Sequence, residues 1–356
     1  MVVIDADGHV EESVAMFNLV EDEYRPRRPQ ALKVESDSAY APWNAVWLIE
    51  GQVYPRVVGK NGIILGTPTL MDRAHTKPAS IGAQELTDVE ARLRDLDAAG
   101  IDKQVVFPTL FLATTAEDVK LEAALLRAYN SFMAEGLRKS QGRVHFAALV
   151  PIRDVDASIQ ELRRAKDLGA VAVMLLGIAW DKNLSDPALC PFYEEAAALD
   201  LPVCLHFGWG CPSITEVFES GHSFNSATIP VVMGARSVLA SGIIDEIPNL
   251  RFAFLETGSQ WLPWVIHQIH RSGRAKRDAA EYFREGRAYV ACEADEDINY
   301  LVDHLGEDCF VVASDYPHAD LSHEDHLSGA IMAREDVPLR VREKILNANP
   351  ARLYGL

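Results

Sequence analysis

Basic side chains are scarce in this sequence of 356 residues. It holds 34 lysines and arginines against 52 aspartates and glutamates, which gives a formal net charge of −18. Nucleic acids and anionic membranes are bound through clustered cations that neutralise phosphates. The charge therefore argues against nucleic acid and membrane as partners, and leaves small molecules and proteins.

Cysteine and long apolar runs are also few. The five cysteines include no C-x-x-C pair, and Cys204 and Cys292 lie in apolar runs typical of buried strands. No run approaches the ~20 apolar residues that span a bilayer. The N-terminus has no basic region followed by a hydrophobic stretch, so no signal peptide is indicated. We therefore expect buried thiols in a reducing compartment and a cytoplasmic protein.

Nucleotide-binding motifs are missing as well, since neither G-x-G-x-x-G after a strand nor G-x-x-x-x-G-K-[ST] occurs. What the chain does contain is eight short, mostly continuous apolar runs, as in parallel strands covered on both faces. They cover residues 2–7, 104–109, 144–151, 171–176, 203–207, 251–256, 288–293 and 310–315. Helical patterns separate them. This alternation predicts one α/β domain over residues 1–356, a closed (β/α)8 TIM barrel.

The predicted helices cover residues 87–99, 118–139, 157–168, 185–199, 261–271, 298–305 and 339–346. The first opens with a capping box, Thr87 to Glu90, and Gly100 is placed to end it. A long stretch, 10–84, separates the first strand from this helix and contains β-like pieces at 45–50 and 52–58. An insertion at this position predicts a lid over the active-site face or a subunit contact.

Polar residues stand at the carboxyl ends of the predicted strands, the edge where such barrels carry their chemistry. The first strand ends in Asp7-Gly8-His9, the fifth in His206 and the eighth in Asp315. Asp7 and His9 point the same way on an extended segment, and Gly8 leaves room between them. Two imidazole nitrogens and two carboxylate oxygens suit one divalent ion, Zn²⁺ or Mn²⁺, with positions left open for water or substrate.

Each of these residues alone has a plainer interpretation. A D-x-H pair is more often a turn than a ligand pair, and a histidine after a strand is often a hydrogen-bonded core residue. Asp315 before Tyr316 and Pro317 can form an Asx turn. Four such residues at the correct ends of three strands favour the metal site.

The same order of residues resembles the amidohydrolase superfamily: D-x-H on the first strand, His206 on the fifth and S-D-Y-P-H on the eighth. More specifically, it resembles the branch with aminocarboxymuconate-semialdehyde, γ-resorcylate and isoorotate decarboxylases. The resemblance covers nearly the whole chain, including segments 94–102, 201–206, 248–251 and 347–354. It implies a metal-dependent enzyme that decarboxylates a small planar carboxylic acid, aromatic or unsaturated.

The resemblance also implies roles. Asp315 would protonate the carbon that loses CO₂. Glu256 stands near a position where several of these decarboxylases carry a histidine, and either assists proton movement or serves as a structural partner. The fourth strand ends at Gly177 without a lysine, so the carbamylated lysine of two-metal relatives has no counterpart and one ion is expected. Relatives are often dimers or larger, which makes a homo-oligomer an expectation.

Two other functions fit the same four ligands. The ion could lower the pKa of a bound water, and hydroxide would then attack an amide or a lactone after Asp315 takes the proton. A metal-binding scaffold without turnover is the third alternative, although no ligand is lost. The sequence does not choose the substrate or the metal.

Further candidates for the site carry weaker signals. His222 and His318 could reach the substrate, but a surface loop and a capping role suit them equally. Trp209 could stack on an aromatic ring or cover the rim. Arg73, in the insertion, could bind a carboxylate, although most surface arginines do not.

Other histidines occur in pairs with helical i, i+3 spacing, His267 with His270 and His323 with His326. We expect these pairs on solvated faces away from the rim. We expect Glu293 either to line the pocket or to pair with an arginine.

Overall fold

In the computed structural model, the described residues are 1–34, 45–54, 56–58, 62–64, 79–211, 213–214, 227–273, 275–318 and 323–356, with backbone alone for 56–58 and 62–64. Eight parallel strands, each next to its predecessor in the chain, form one sheet. They are β1 Ile4–Val10, β2 Lys103–Pro108, β3 Val144–Leu149, β4 Ala172–Leu176, β5 Val203–His206, β6 Phe252–Leu255, β7 Ala288–Ala291 and β8 Phe310–Val311. All eight predicted strands are confirmed.

The sheet is closed by backbone hydrogen bonds between β1 and the segment that follows β8. The Ala6 amide donates to the Val312 carbonyl at 3.0 Å, and the Asp315 amide donates to the Asp7 carbonyl at 3.1 Å. The predicted (β/α)8 barrel is therefore present. Its closure places the ends of β1 and β8 beside each other, although more than 300 residues separate them in the chain.

Seven longer helices cover the outside of the barrel. They are α1 Val89–Ala99, α2 Val119–Lys139, α3 Val155–Asp167, α4 Cys190–Ala198, α5 Ile229–Ser241, α6 Leu262–Ser272 and α7 Ile298–Leu305. The N-cap of α1 is Asp88, whose carboxylate accepts from the Ala91 amide, so the prediction of Thr87 as the cap was wrong by one residue. Gly100 ends α1 in the left-handed conformation, as predicted.

Sequence reasoning missed α5, because this helix is apolar nearly all round and has no amphipathic period. It also missed shorter helices at Ile243–Glu246, Ala280–Arg284 and Leu327–Met332. The last predicted helix begins at Leu339 but turns into a π-helical segment, Lys344–Ala348, before the final helix Asn349–Tyr354.

The described part of the insertion forms small antiparallel sheets and short helices. Gln30–Lys33, Ala45–Ile49 and Gln52–Tyr54 form one sheet, and Arg56–Val58 pairs with Gly62–Ile64. The predicted piece 45–50 is confirmed, whereas 52–58 is two strands. Helices Val14–Phe17 and Ile81–Gln84 flank these sheets.

This insertion packs on the loop that follows β2. Trp47 meets Phe17 edge-on at 5.1 Å between ring centroids, and Phe17 meets Phe111 at 6.2 Å. Buried aromatic contacts of this kind fix the sheet on the barrel. Among the described helices, none combines the length and the apolar composition that a membrane crossing requires.

Candidate metal centre

Five side chains that could bind a metal meet at the carboxyl-terminal mouth of the barrel. All are buried, and they come from the ends of four strands: Asp7 and His9 from β1, His206 from β5, Glu256 after β6 and Asp315 after β8. The structure thus brings together all four predicted metal ligands and the predicted catalytic Glu256.

The shortest distances join imidazole nitrogens to carboxylate oxygens. His206 Nε2 lies 3.0 Å from Asp7 Oδ2, and His9 Nε2 lies 3.2 Å from Asp315 Oδ1 and 3.4 Å from Asp7 Oδ1. Glu256 Oε2 lies 3.4 Å from His206 Nδ1 and 3.8 Å from His9 Nε2. Glu256 is therefore as much part of the cluster as the predicted ligands.

Two overlapping groups have the spacing of a metal site. Ligand atoms of Asp7, His9, His206 and Glu256 all lie within 4.8 Å of one another, and so do those of His9, Asp315 and His318. His9 belongs to both groups. The predictions named both for other roles: Glu256, at the end of the sixth predicted strand, for proton movement or a structural contact, and His318, three residues after the eighth, for the substrate.

Backbone strain turns two of these carboxylates toward the centre. Glu256 has φ +53° and Asp315 has φ +54°, a left-handed conformation that costs most residues with a side chain about 1 kcal/mol or more. Both strands leave the sheet before these residues, which is why the predicted strands 251–256 and 310–315 end too late.

Backbone carbonyls fix the tautomers of both histidines. The Nδ1–H of His9 donates to the Pro108 carbonyl at 2.8 Å, and His206 Nδ1 lies 3.0 Å from the Phe207 carbonyl. Burial above all, and then the neighbouring His318, lowers the pKa of His9 and so favours its neutral ring. The Nε2 lone pair of His9 therefore faces carboxylate oxygens, an arrangement that a cation between them stabilises.

Two buried atoms without hydrogen bonds lie where an ion could be held. His9 Nε2 and Asp315 Oδ2 are both buried, and neither makes a hydrogen bond. Burial raises the pKa of Asp315, but the interactions of its carboxylate with the imidazoles of His318 and His9 outweigh burial and hold this pKa well below its usual range. An ionised, buried carboxylate and a neutral imidazole are a donor set that fits a divalent ion.

A further buried carboxylate, Asp5, lies two residues below Asp7 on β1. It accepts hydrogen bonds from the Ser314 amide at 2.9 Å, from the Ser314 hydroxyl and from Gln104 Nε2 at 2.6 Å. Burial raises the pKa of Asp5 to about 6. Gln104 also accepts from Arg92, whose guanidinium donates to the His9 carbonyl at 2.9 Å. These contacts join β1, β2 and β8 beneath the metal ligands, and sequence reasoning did not foresee them.

The remaining predicted residues lie in different places. His318 contacts Asp315, with Nδ1 2.7 Å from Oδ1, and stacks on His9 at 4.0 Å between ring centroids. Trp209 is buried after β5, packs edge-on against Phe207 and is not among the clustered residues. Arg73 and His222 lie outside the described residues.

The two predicted histidine pairs lie in different environments. His267 and His270 are exposed on α6, as expected. His323 lines a cavity of about 310 Å³ together with Glu256 and Asp315, so its predicted place away from the rim was wrong. It precedes the helix Leu327–Met332, and its i, i+3 spacing from His326 does not reflect a shared helix.

That cavity opens at the ends of β6, β7 and β8, beside the cluster. Ala291, Val312 and Leu327 form part of its apolar wall, and Glu293 is in its lining, as one of the two predictions for that residue had it. A cavity of this volume accommodates a small planar ligand next to Asp315.

Comparison with known proteins places this geometry in a family. The model of the amidohydrolase family matches residues 4–356. The chain belongs to this family. A γ-resorcylate decarboxylase from Rhizobium sp. (strain MTP-10005) is 26% identical over 317 residues, which is 81% of this chain and 94% of the relative.

Solved structures confirm the barrel of this amidohydrolase. An amidohydrolase from Mycobacterium avium subsp. paratuberculosis K-10 superposes with a TM-score of 0.79 at 18% identity, over 100% of this chain and 98% of the other. A dihydroxybenzoic acid decarboxylase from Polaromonas sp. JS666, with bound manganese and the inhibitor 2-nitroresorcinol, gives 0.67 at 20% identity, over 100% and 97%. The predicted family resemblance is confirmed.

Proposed function

We propose that this amidohydrolase catalyses the non-oxidative decarboxylation of a small planar carboxylic acid, aromatic or unsaturated, with one divalent ion. The observation that carries the proposal is the buried cluster of imidazoles and carboxylates whose lone pairs face one point. The choice of reaction is supported by the γ-resorcylate decarboxylase that matches over 94% of its own length.

The proposed ligands of the ion are Asp7, His9, His206 and Asp315, with Glu256 close enough to join them. Zn²⁺ and Mn²⁺ both suit nitrogen and oxygen donors, and manganese is bound in the decarboxylase from Polaromonas. When bound, the ion supplies positive charge for the substrate carboxylate, and the described lining of the cavity offers no lysine or arginine for that purpose.

Asp315 is the proposed proton donor. The bond between carbon and the carboxylate breaks, its electron pair stays on carbon, CO₂ leaves, and the proton from Asp315 replaces it. Glu256, which faces the same His9 nitrogen, is the proposed carboxyl group that supplies this proton.

Several predicted contacts remain proposals. Trp209, His318 and Arg73 are candidates for substrate binding, His222 is a candidate catalytic residue that would reach the substrate, and segment 10–84 is a candidate lid. We further propose a cytoplasmic enzyme, because the five cysteines are all free thiols, and a homo-oligomer of two or more subunits.

Metal analysis combined with a carboxylate panel tests this function. We expect about one ion per chain and stoichiometric CO₂ from a planar acid, both lost in His206→Ala and retained in His267→Ala, which changes an exposed histidine. One ion without CO₂, but with ¹⁸O from labelled water in a cleaved amide or lactone, would establish hydrolysis instead. A bound ion with neither reaction would support the alternative of a metal-binding scaffold without turnover. If no ion binds after Zn²⁺ or Mn²⁺ is supplied, the proposed metal site is refuted.

A further inference from the structure

The two oxygens of Asp315 have different surroundings. Oδ1 lies 2.7 Å from His318 Nδ1, whereas Oδ2 is buried and makes no hydrogen bond. A carboxylate oxygen can only accept, so the Nδ1 of His318 carries the proton and donates it. One oxygen of Asp315 thus accepts from His318 and also lies 3.2 Å from His9 Nε2, whereas the other makes no hydrogen bond with the described residues.

His318 is itself held at its other nitrogen. Its Nε2 lies 2.9 Å from the hydroxyl oxygen of Thr109, at the end of β2. Because Nδ1 carries the proton, a neutral ring accepts at Nε2 and the hydroxyl of Thr109 donates. Stacking on His9, at an interplanar angle of 30°, fixes the plane of the ring.

The position of Thr109 is set by a third buried group. Glu12, just after β1, accepts from the Thr109 amide at 3.1 Å and from the Leu110 amide at 2.6 Å. Its side chain is almost fully buried. The contacts therefore run from Glu12 through Thr109 and His318 to Asp315, across β1, β2 and the segment after β8.

We propose that Thr109 and His318 are positioning residues for Asp315. The carboxylate of Asp315 sets the tautomer of His318 that carries its proton on Nδ1, and the hydroxyl of Thr109, by donating to Nε2, holds the ring so that this proton fixes the Asp315 carboxylate in place. The kinetic consequence rests on the proposed decarboxylation, whereas the tautomer and the orientation of Asp315 do not. Neither residue touches the substrate in this role.

Substitutions at Thr109 separate the hydroxyl from the packing of the side chain. Thr109→Ser keeps the hydroxyl, and Thr109→Val keeps the shape. We expect Val to lower kcat at least about tenfold, the usual minimum for losing an outer-shell partner, with KM changed less than about twofold. Ser should stay within about twofold of the wild type in both constants. Thr114→Val is the control, since it removes a hydroxyl that donates to the Gly210 carbonyl instead.

A second readout does not depend on turnover. Full-length protein labelled with ¹⁵N-histidine, with and without Zn²⁺, reports the tautomer of His318 through its ring nitrogen shifts, assigned by comparison with His318→Gln. We expect the Nδ1–H form with one set of ring shifts in the wild type and in Thr109→Ser, and broadened or doubled ring signals in Thr109→Val, where the ring loses its second hydrogen bond.

The outcomes separate the two proposals. Loss of kcat and of the single set of His318 shifts in Val, with rescue in Ser, supports the positioning role. Unchanged His318 shifts in Val, or a Ser variant as impaired as Val, overturn it. If the wild type releases no CO₂ but the His318 shifts still follow the hydroxyl, decarboxylation fails while the positioning of Asp315 stands.

Discussion

Two layers of buried polar side chains lie one above the other at the same end of the barrel, and they differ in how their hydrogen bonds are satisfied. The lower layer consists of Asp5, Arg92, Gln104 and Ser314. The upper layer consists of Asp7, His9, His206, Glu256 and Asp315. Strand β1 and the segment after β8 contribute to both.

In the lower layer the charged groups are matched by partners. Both oxygens of Asp5 accept hydrogen bonds, and the guanidinium of Arg92 donates to Gln104 and to backbone carbonyls. In the upper layer, nitrogen and oxygen acceptors face each other at 3.0 to 3.4 Å, and His9 Nε2 makes no hydrogen bond. A buried polar atom without a partner costs about 1–3 kcal/mol, more if charged.

Burial and charge are therefore poor markers of function here, because both layers have them. The difference lies in whether the acceptors have donors within the protein. The lower layer holds β1, β2 and β8 together through matched donors and acceptors, whereas the upper layer contains acceptors that face each other and that the proposed cation would bind. Substitutions should distinguish the two layers. Those in the upper layer should change metal binding and activity, and those in the lower layer should change stability.

The largest effect is expected from removing a ligand in the upper layer. His206→Ala should abolish binding of the ion and lower activity at least about 1,000-fold, which corresponds to roughly 4 kcal/mol of transition-state stabilisation. The variant should still fold, since the substitution lowers the number of buried acceptors that face each other without a donor. Metal content per chain, activity and the urea midpoint are the measurements. A variant with full metal content would show that His206 is not a ligand.

The converse is expected in the lower layer. Gln104→Leu removes the acceptor of Arg92 and a donor to Asp5, and should destabilise the fold by about 3 kcal/mol, as does breaking a buried charged network. Its ion content at saturating metal should stay near one per chain. Gln260→Leu, on the surface, should change stability by less than about 0.5 kcal/mol. Urea unfolding and metal analysis measure the two effects. An unchanged urea midpoint for Gln104→Leu would show that Gln104 contributes no more to stability than the exposed Gln260.

The sequence predicted the upper layer better than the lower one. Asp7, His9, His206 and Asp315 stand at strand ends, and the barrel topology brings such ends together, so order along the chain was sufficient. The strands themselves were predictable because each is a continuous apolar run. Helix α5 was not, since an apolar helix has no period to detect.

The lower layer and the positioning contacts depend on register, which a single sequence does not reveal. That Gln104 lies between Asp5 and Arg92, or Thr109 beside His318, follows from how β1, β2 and β8 align. Glu256 was recognised as a candidate for proton transfer, but its left-handed backbone turn, which brings it to the histidines, has no signal in the residue type. Short polar contacts across strands are therefore found only in three dimensions.

Metal removal tests whether the layers are energetically independent. An ion at about 100 times its dissociation constant should stabilise the wild type by about 2.7 kcal/mol, because it binds only the folded state. Gln104→Leu should gain the same amount, although it starts from lower stability, and His206→Ala should gain almost nothing. Unfolding the wild type and both variants, each with a chelator and with added Mn²⁺, gives the stability that each protein gains from the ion. A markedly smaller gain in Gln104→Leu would mean that the lower layer shapes the ligand set.

The smallest effect concerns Gly8, which lies between the layers. A Cβ at this position would come within 2.3 Å of Gln104 Nε2, and Gln104 cannot move away without losing its bonds to Asp5 and Arg92. Gly8→Ala should therefore cost about 2 kcal/mol in the wild type, but under about 1 kcal/mol beside Gln104→Ala, where there is room.

The coupling in this double-mutant cycle, about 1 kcal/mol or more, measures how closely the lower layer supports β1 between Asp7 and His9. Gly136→Ala, in α2 with open space around its Cβ position, is the matched control and should not destabilise. If the losses of unfolding free energy in Gly8→Ala and Gln104→Ala are additive, strand β1 accommodates the new methyl group without disturbing Gln104. Glycine at position 8 would then reflect the space needed by the metal ligands alone.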